Sequence, residues 1–151
     1  MKLVIQVVDN AKVEVEKQIT GQIGKGFLVL VGVGQNDTKS DAELLAKKLV
    51  GLRIFEDSGG KTNLSLSDIE GEILSVSQFT LYADCSHGRR PSFIYAGAPE
   101  MANELYEYFN SVLESLYPKP VQKGVFGADM KVSLVNNGPF TILLDSEELK
   151  K

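Results

Sequence analysis

Cysteine occurs once in this chain, at Cys85, histidine once, at His87, and tryptophan not at all. A lone cysteine excludes an internal disulfide, so the fold has to rest on packing. A lone histidine leaves a Ser-His-Asp triad one possible base, and no nucleophile-elbow motif accompanies it. Cys85 and His87 sit close together in a polar stretch, but neither a third orienting group nor a helix start stands beside them. A surface loop is the expected reading. No His, Cys or carboxylate cluster has metal-ligand spacing, and no metal or cofactor is expected. Long apolar runs are also missing: Phe27 to Val33 falls far short of the roughly 20 residues a membrane helix needs. The first residues reach a charged Asp9 too soon for a signal peptide. A soluble, cytoplasmic protein is expected. A basic surplus is lacking too, since 16 Lys and Arg stand against 20 Asp and Glu, a net charge of −4. That argues against coating nucleic acid non-specifically, yet leaves room for a local pocket that grips one end of a nucleic acid.

What is present has the composition of one globular domain spanning residues 1–151, with 43% apolar and 24% charged residues. Leu3 to Val8 reads as a strand, and Val13 and Val15 alternate with Glu14 and Glu16 as in a half-buried strand. Gly21 to Gly26 has the look of a phosphate loop, but lacks the Gly-Lys-Ser/Thr ending and a following helix, so it reads as a plain hairpin turn. Phe27 to Val31 is a central strand covered on both faces. Ser40-Asp41-Ala42-Glu43 is read as a capping box opening a helix with Leu44, Leu45, Leu49 and Leu52 on one face. Asp57 to Lys61 is a loop, Glu72 to Phe79 a strand, and Tyr82 to Ala98 a long polar connection of the kind that carries function. Pro99 suits the first turn of a second helix, with Leu105, Phe109, Val112, Leu113 and Leu116 as its stripe and Pro118 and Pro120 beyond its end. Met130 to Val135 and Phe140 to Leu144 are two strands, read as a hairpin about Asn136-Asn137-Gly138-Pro139. The order of elements predicts an α/β fold: one compact domain, a mixed, largely antiparallel, barrel-like sheet and two main helices.

With His, Cys and metal set aside, an enzyme built on this chain has hydroxyls, amides and backbone groups as its tools. Two segments offer them. Ser77-Gln78-Phe79-Thr80-Leu81 ends a core strand in a cluster of polar side chains, where α/β folds often place binding groups. Composition alone is better served by Ser77 and Thr80 bonding nearby backbone groups. Asn136-Asn137-Gly138-Pro139-Phe140-Thr141 adds to a turn signal a proline whose peptide bond admits a cis form at about 0.5–1 kcal/mol. Spacing alone is satisfied there by a proline-stiffened turn.

The two segments together are the paired signature of the D-aminoacyl-tRNA deacylases, a family the sequence resembles over nearly its whole length. Gly51-Leu52-Arg53-Ile54-Phe55, Arg90-Pro91-Ser92-Phe93 and Phe126-Gly127-Ala128-Asp129-Met130 look like further family blocks, in the expected order. The resemblance implies a cofactor-free homodimer that hydrolyses the ester between a D-amino acid and the 3′-terminal adenosine of tRNA, as translational proofreading. It also implies removal of glycine from mischarged tRNA and sparing of L-aminoacyl-tRNA. In the family the Gly-Pro peptide, here Gly138-Pro139, is cis and enters the partner's pocket. It rejects L side chains through its backbone.

On that basis Ser77, Gln78, Phe79 and Thr80 are the expected catalytic segment. The amides around Phe79 and Thr80 would hold an oxyanion. Attack would come from water aided by the ribose 2′-hydroxyl, or from Thr80, for which no general base stands near. Asn136, Phe140, Thr141 and Met130 are expected at the substrate, and Arg89, Arg90 and Lys123 at tRNA phosphates. The resemblance departs at Val7, where the family usually has an arginine that buttresses the Gly-Pro loop. A non-catalytic dimer of the same fold that binds the tRNA end is the alternative.

Overall fold

The computed structural model describes the whole chain, residues 1–151. The first strand, β1, is a single run from Lys2 to Val15, where the sequence suggests two. Its alternation changes phase midway: Leu3, Ile5 and Val7 are buried in one core and Val8, Ala11 and Val13 in a second. A one-residue shift of phase moves the apolar set to the other face of the sheet. The strand bends and serves a different core with each half.

A tight turn at Glu16 and Lys17, both with positive φ (49° and 65°), leads into β2 (Gln18–Ile23) and then β3 (Gly26–Gly32). Strand β3 pairs antiparallel with β1 and parallel with β6 (Glu72–Ser77). Gly26 is required where β3 meets β6, because a Cβ there would lie 1.9 Å from the Glu72 carbonyl oxygen. A short β7 (Gln122–Lys123) adds to β6 in parallel, giving the order β2-β1-β3-β6-β7 with β8 (Lys131–Asp145) along the other edge of β1. The Thr20 hydroxyl of β2 donates to the Lys123 carbonyl of β7 at 3.2 Å, so the sheet nearly closes on itself. The expected α/β, mixed and barrel-like architecture is what the chain adopts. Strands β4 (Phe55–Glu56) and β5 (Thr62–Leu64) flank the expected loop as a separate small ribbon.

Two helices cover one face of the sheet. Helix α1 spans Lys39–Gly51, and its N-cap is Thr38, two residues before the expected start. The Asp41 carboxylate accepts from the Thr38 N–H at 2.9 Å, so the box is Thr38 to Asp41 rather than Ser40 to Glu43. Helix α2 spans Pro99–Leu116 with proline in its first turn and buries Leu105, Phe109 and Leu113 as expected. Leu116 is exposed, and Tyr106 and Asn110 are buried in its place. A last turn of helix, α3 (Ser146–Leu149), closes the chain.

The expected hairpin at Asn136 to Pro139 is not there. Residues 131–145 form one strand, and both of its halves pair antiparallel with β1. Between the pairs Gln6–Thr141 and Val8–Asn136, β8 takes five residue steps while β1 takes two, a surplus of three. The surplus bulges out of the ladder. Asn-Gly-Pro in sequence announces a departure from extended pairing, but a bulge and a hairpin use the same residues. What decides is that both flanks match β1 and not each other.

Candidate active site

Strand β6 ends at Ser77, and the chain then tightens into a 3-10 turn at Phe79–Tyr82. The Gln78 N–H donates to the Val31 carbonyl at 2.7 Å, which fixes the point of departure from the sheet. As the first residues of that turn, Phe79 and Thr80 have N–H groups with no partner inside it. The Gln78 side-chain amide donates to the Thr80 hydroxyl. Thr80 is therefore engaged as an acceptor, and no histidine, lysine or carboxylate is its hydrogen-bond partner. Phe79 is 54% exposed and meets Phe93 edge-on, with ring centroids 5.0 Å apart.

A cavity of ≈ 440 Å³ opens beside this turn. Ser77, Gln78 and Asp129 supply its polar side chains, with the Phe79 ring beside them. Val31, Val76, Tyr106, Phe126, Met130 and Val132 are among its mostly apolar walls. Such a cleft, with few convergent polar groups, is the usual form of a small-molecule site. Tyr106 is held in the floor by its hydroxyl, which donates to the Ser75 carbonyl at 2.8 Å. Burial pushes the Tyr106 phenol above its ordinary range, so the group stays neutral.

Of the expected site residues, the cavity brings together Ser77, Gln78, Phe79 and Met130. Thr80 lies next to it on the exposed side of the turn. Asn136, Gly138, Pro139, Phe140 and Thr141 do not line it. Their bulge lies beside Val8, which pairs with Gly26, whereas Ser77 pairs with Val31 at the far end of β3. Five residues of strand separate the two levels, roughly 16 Å, and the two segments are also three strands apart. Within one chain the two motifs face different ends of the sheet.

The bulge itself is well fastened. The Asn136 amide donates to the carbonyls of Val7 and Phe140, each at 2.9 Å. The Asn137 amide donates to Asp9 at 2.9 Å. Gly138 has φ +131° and is followed by a cis peptide to Pro139, and both residues are exposed. Val7, in the position of the family's usual arginine, is 7% exposed and belongs to the main core. Amide groups from Asn136 and Asn137 hold the bulge here, one of them through the Val7 backbone.

Arg89 and Arg90 stand exposed on an arm whose base is closed by paired hydrogen bonds between Asp84 and Ser92, at 2.7 and 2.9 Å. Lys123 is elsewhere, on β7, with its ammonium 3.4 Å from Glu107. Cys85 and His87 are exposed on the same arm, and His87 Nδ1 lies 2.7 Å from the Ser86 hydroxyl. Folding does gather three carboxylates that sequence spacing separates: Asp37, Asp41 and Glu147 have oxygens within 4.8 Å of one another. Asp37 already pairs with the Met1 ammonium at 2.6 Å and Asp41 with Lys150 at 2.6 Å, so these charges are balanced within the protein.

Sequence reasoning missed Tyr106 and Phe126 as site walls. Tyr106 falls in the same stripe as Ala102, Phe109 and Leu113, and its phenol marked it as the member needing a polar partner. Phe126 lies in the same Phe126 to Met130 block as Met130, and an apolar side chain there has no signal that separates a cavity wall from a core residue.

The family model described as D-Tyr-tRNA(Tyr) deacylase matches residues 4–145. The chain belongs to this family. A protein of Thermosipho melanesiensis named D-aminoacyl-tRNA deacylase is 56% identical over 149 residues, 99% of each chain. A solved structure described as c-Myc DNA Unwinding Element Binding Protein is 40% identical and superposes with a TM-score of 0.90, over 96% of this chain and 98% of its own. A second, described as a probable eukaryotic D-amino acid tRNA deacylase, shares the fold at 20% identity, with a TM-score of 0.81 over 95% of this chain and 97% of its own.

Proposed function

We propose that this protein hydrolyses the ester of D-aminoacyl-tRNA, releasing free tRNA and the D-amino acid. The observation that carries the reading is the 56% identity to a D-aminoacyl-tRNA deacylase with 99% of both chains aligned. The site is of a matching kind. Its apolar cavity ends in a polar strand terminus, and the Phe79 and Thr80 amides, which have no partner inside the turn, are the donors assigned to a developing oxyanion. Gln78 and Phe79 position the terminal adenosine and the aminoacyl group. The Thr80 hydroxyl, tied to the Gln78 amide, has no base to activate it, which favours attack by water assisted by the ribose 2′-hydroxyl.

Selectivity for D over L is assigned to the backbone at Gly138 and Pro139, which rejects an L side chain and lets a D side chain point away. Glycine, with no side chain to reject, is then also a substrate. The separation of the two motifs within one chain supports a homodimer in which each bulge completes the partner's cavity. Long β8 has a free outer edge, with Val135 and Leu143 exposed on it, and such edges invite pairing. No helix is long and apolar enough to cross a membrane, which suits a cytoplasmic role.

One observation favours a binding-only reading: the 40%-identical relative is named for binding a DNA unwinding element. Hydrolysis of D-tyrosyl-, L-tyrosyl- and glycyl-tRNA separates the two. Release of D-tyrosine and glycine with L-tyrosyl-tRNA intact is expected. Retention of all three esters would leave only the binding reading, and equal loss of D and L would remove the backbone account of chirality.

A further inference from the structure

A second cavity, also of ≈ 440 Å³, lies directly behind the catalytic turn. The two cavities share three stretches of wall. Val33 lines the first and Gly34 the second; Phe79 lines the first and Tyr82 the second; Gly97 lines the first and Tyr95 the second. Phe79 and Tyr82 are opposite ends of one 3-10 turn, separated by about 6 Å at 2.0 Å per residue. The two cavities therefore adjoin across a single turn of chain.

The second cavity is polar and aromatic, with Asp37, Asp84 and Glu147 set against Lys2 in its lining. Tyr82 is half-buried. Its hydroxyl donates to Asp37 at 3.3 Å, and the Lys2 ammonium sits 4.8 Å from its ring centre. Tyr95 is 48% exposed, and its carbonyl accepts from the Gln35 N–H at 3.0 Å, so its backbone is fixed while its ring faces solvent. The side-chain amides of Gln35 and Asn36 are exposed and bond to no other protein group. Asp37 is neutralised by the Met1 ammonium, and Asp84 accepts from the Ser86 N–H at 3.0 Å. The arm bearing Arg89 and Arg90 springs from the rim at Asp84.

We propose that this cavity is a nucleoside subsite for the unpaired nucleotide that precedes the terminal adenosine of the substrate's 3′ end. The proposal rests on the reading of the first cavity as the site of the aminoacyl-adenosine. Tyr95 is the stacking platform, since a base stacks on an aromatic face irrespective of sequence. Gln35 and Asn36 offer free donors and acceptors to the base edge, and the carboxylates at the rim are acceptors suited to the exocyclic amine of cytosine. Lys2 and the arm arginines supply positive charge for the linking phosphate. The site would let the enzyme measure that its ester lies at the end of an RNA strand and not on a free nucleoside.

The test compares two esters, 3′-(D-tyrosyl)adenosine and the same ester carrying one 5′ cytidylate. In the wild-type protein the cytidylate should raise kcat/KM about tenfold, the size of one base-stacking contact. Tyr95→Ala should abolish that gain, Tyr95→Trp should restore it, and the adenosine ester should be cleaved alike by all three. Equal kcat/KM for the two esters in the wild type, or a loss on both esters with Tyr95→Ala, overturns the subsite. Binding of the dinucleotide CpA without its aminoacyl ester is followed separately through the side-chain amide resonances of Gln35 and Asn36. If neither ester is cleaved, the deacylase reading fails. The subsite then stands or falls on whether CpA shifts those resonances in the wild type and not in Tyr95→Ala.

Discussion

Replacing Asn136 with alanine removes both clamps across the mouth of the bulge while touching no wall of the cavity. The wild-type amide donates to Val7 and Phe140 at 2.9 Å each. Each bond has a net worth of about 1 kcal/mol, so the loss is about 2 kcal/mol. Ordering the three surplus residues costs about 1–2 kcal/mol of backbone entropy apiece. The clamps thus offset roughly a third to two thirds of that ordering cost. The surrounding sheet does not depend on them, because β8 pairs with β1 on both sides. The expected outcome is a folded protein with a modest fall in its urea midpoint, fast exchange confined to the Asn137, Gly138 and Phe140 amides, and at least tenfold slower cleavage of D-tyrosyl-tRNA. Asn137→Ala, which breaks one exposed contact to Asp9, should do much less. Wild-type rates and an unchanged preference for D over L in Asn136→Ala would refute the claim that the bulge acts through a fixed backbone shape.

Three further outcomes follow from the packing. Gly26→Ala puts a Cβ 1.9 Å from the Glu72 carbonyl oxygen, and should part β3 from β6 and drop the yield of folded protein, read by circular dichroism and melting. Burial pushes the Asp41 carboxyl up, but the Lys150 ammonium, the Thr38 N–H and the Ser146 hydroxyl outweigh it and hold the carboxyl well below the usual carboxylate range. The folded pKa is therefore below the unfolded value of about 3.9, so this stabilisation is present above pH 4 and is lost as pH falls through the folded pKa. Asp41→Asn should cost about 2 kcal/mol at pH 7, a deficit that narrows in acid denaturation below pH 4. Tyr106→Phe removes one hydrogen bond but leaves the Ser75 carbonyl bonded to the Gly124 N–H at 3.1 Å, so it should cost about 1 kcal/mol and leave KM for D-tyrosyl-tRNA unchanged.

The fold was legible in the sequence where the pattern was uniform, as in the unbroken apolar run of β3 and the stripe of α2. It misled where one chain segment served two partners. Val7 and Val8 are adjacent and both buried, which no single-face pattern allows, and only the bend of β1 between two cores explains them. The bulge in β8 was read as a hairpin because local composition reports a break in the ladder but not which strand lies alongside. Beside the cavity, Ser77 to Phe79 stand out through the pairing of the two motifs, since polar residues at a strand end are on composition alone better explained by bonds to nearby backbone. The cavity walls on α2 and on the segment before β8 do not, since an apolar residue facing a cavity has the same sequence signature as one facing the core. Nor could sequence place the two motifs at opposite ends of one chain.

The two halves of β8 each take their register from β1 independently, and this separates heritable change in the bulge from change in the sheet. The number of residues in the bulge can change without a shift of register spreading into the flanking ladder, whereas the identity of Gly138 is constrained by its φ of +131°. A lineage can thereby retune what the tip presents while the scaffold stays constant. The same independence makes the bulge a practical graft point, where short loops of other lengths can be installed and screened with the rest of the chain serving as an unchanging frame.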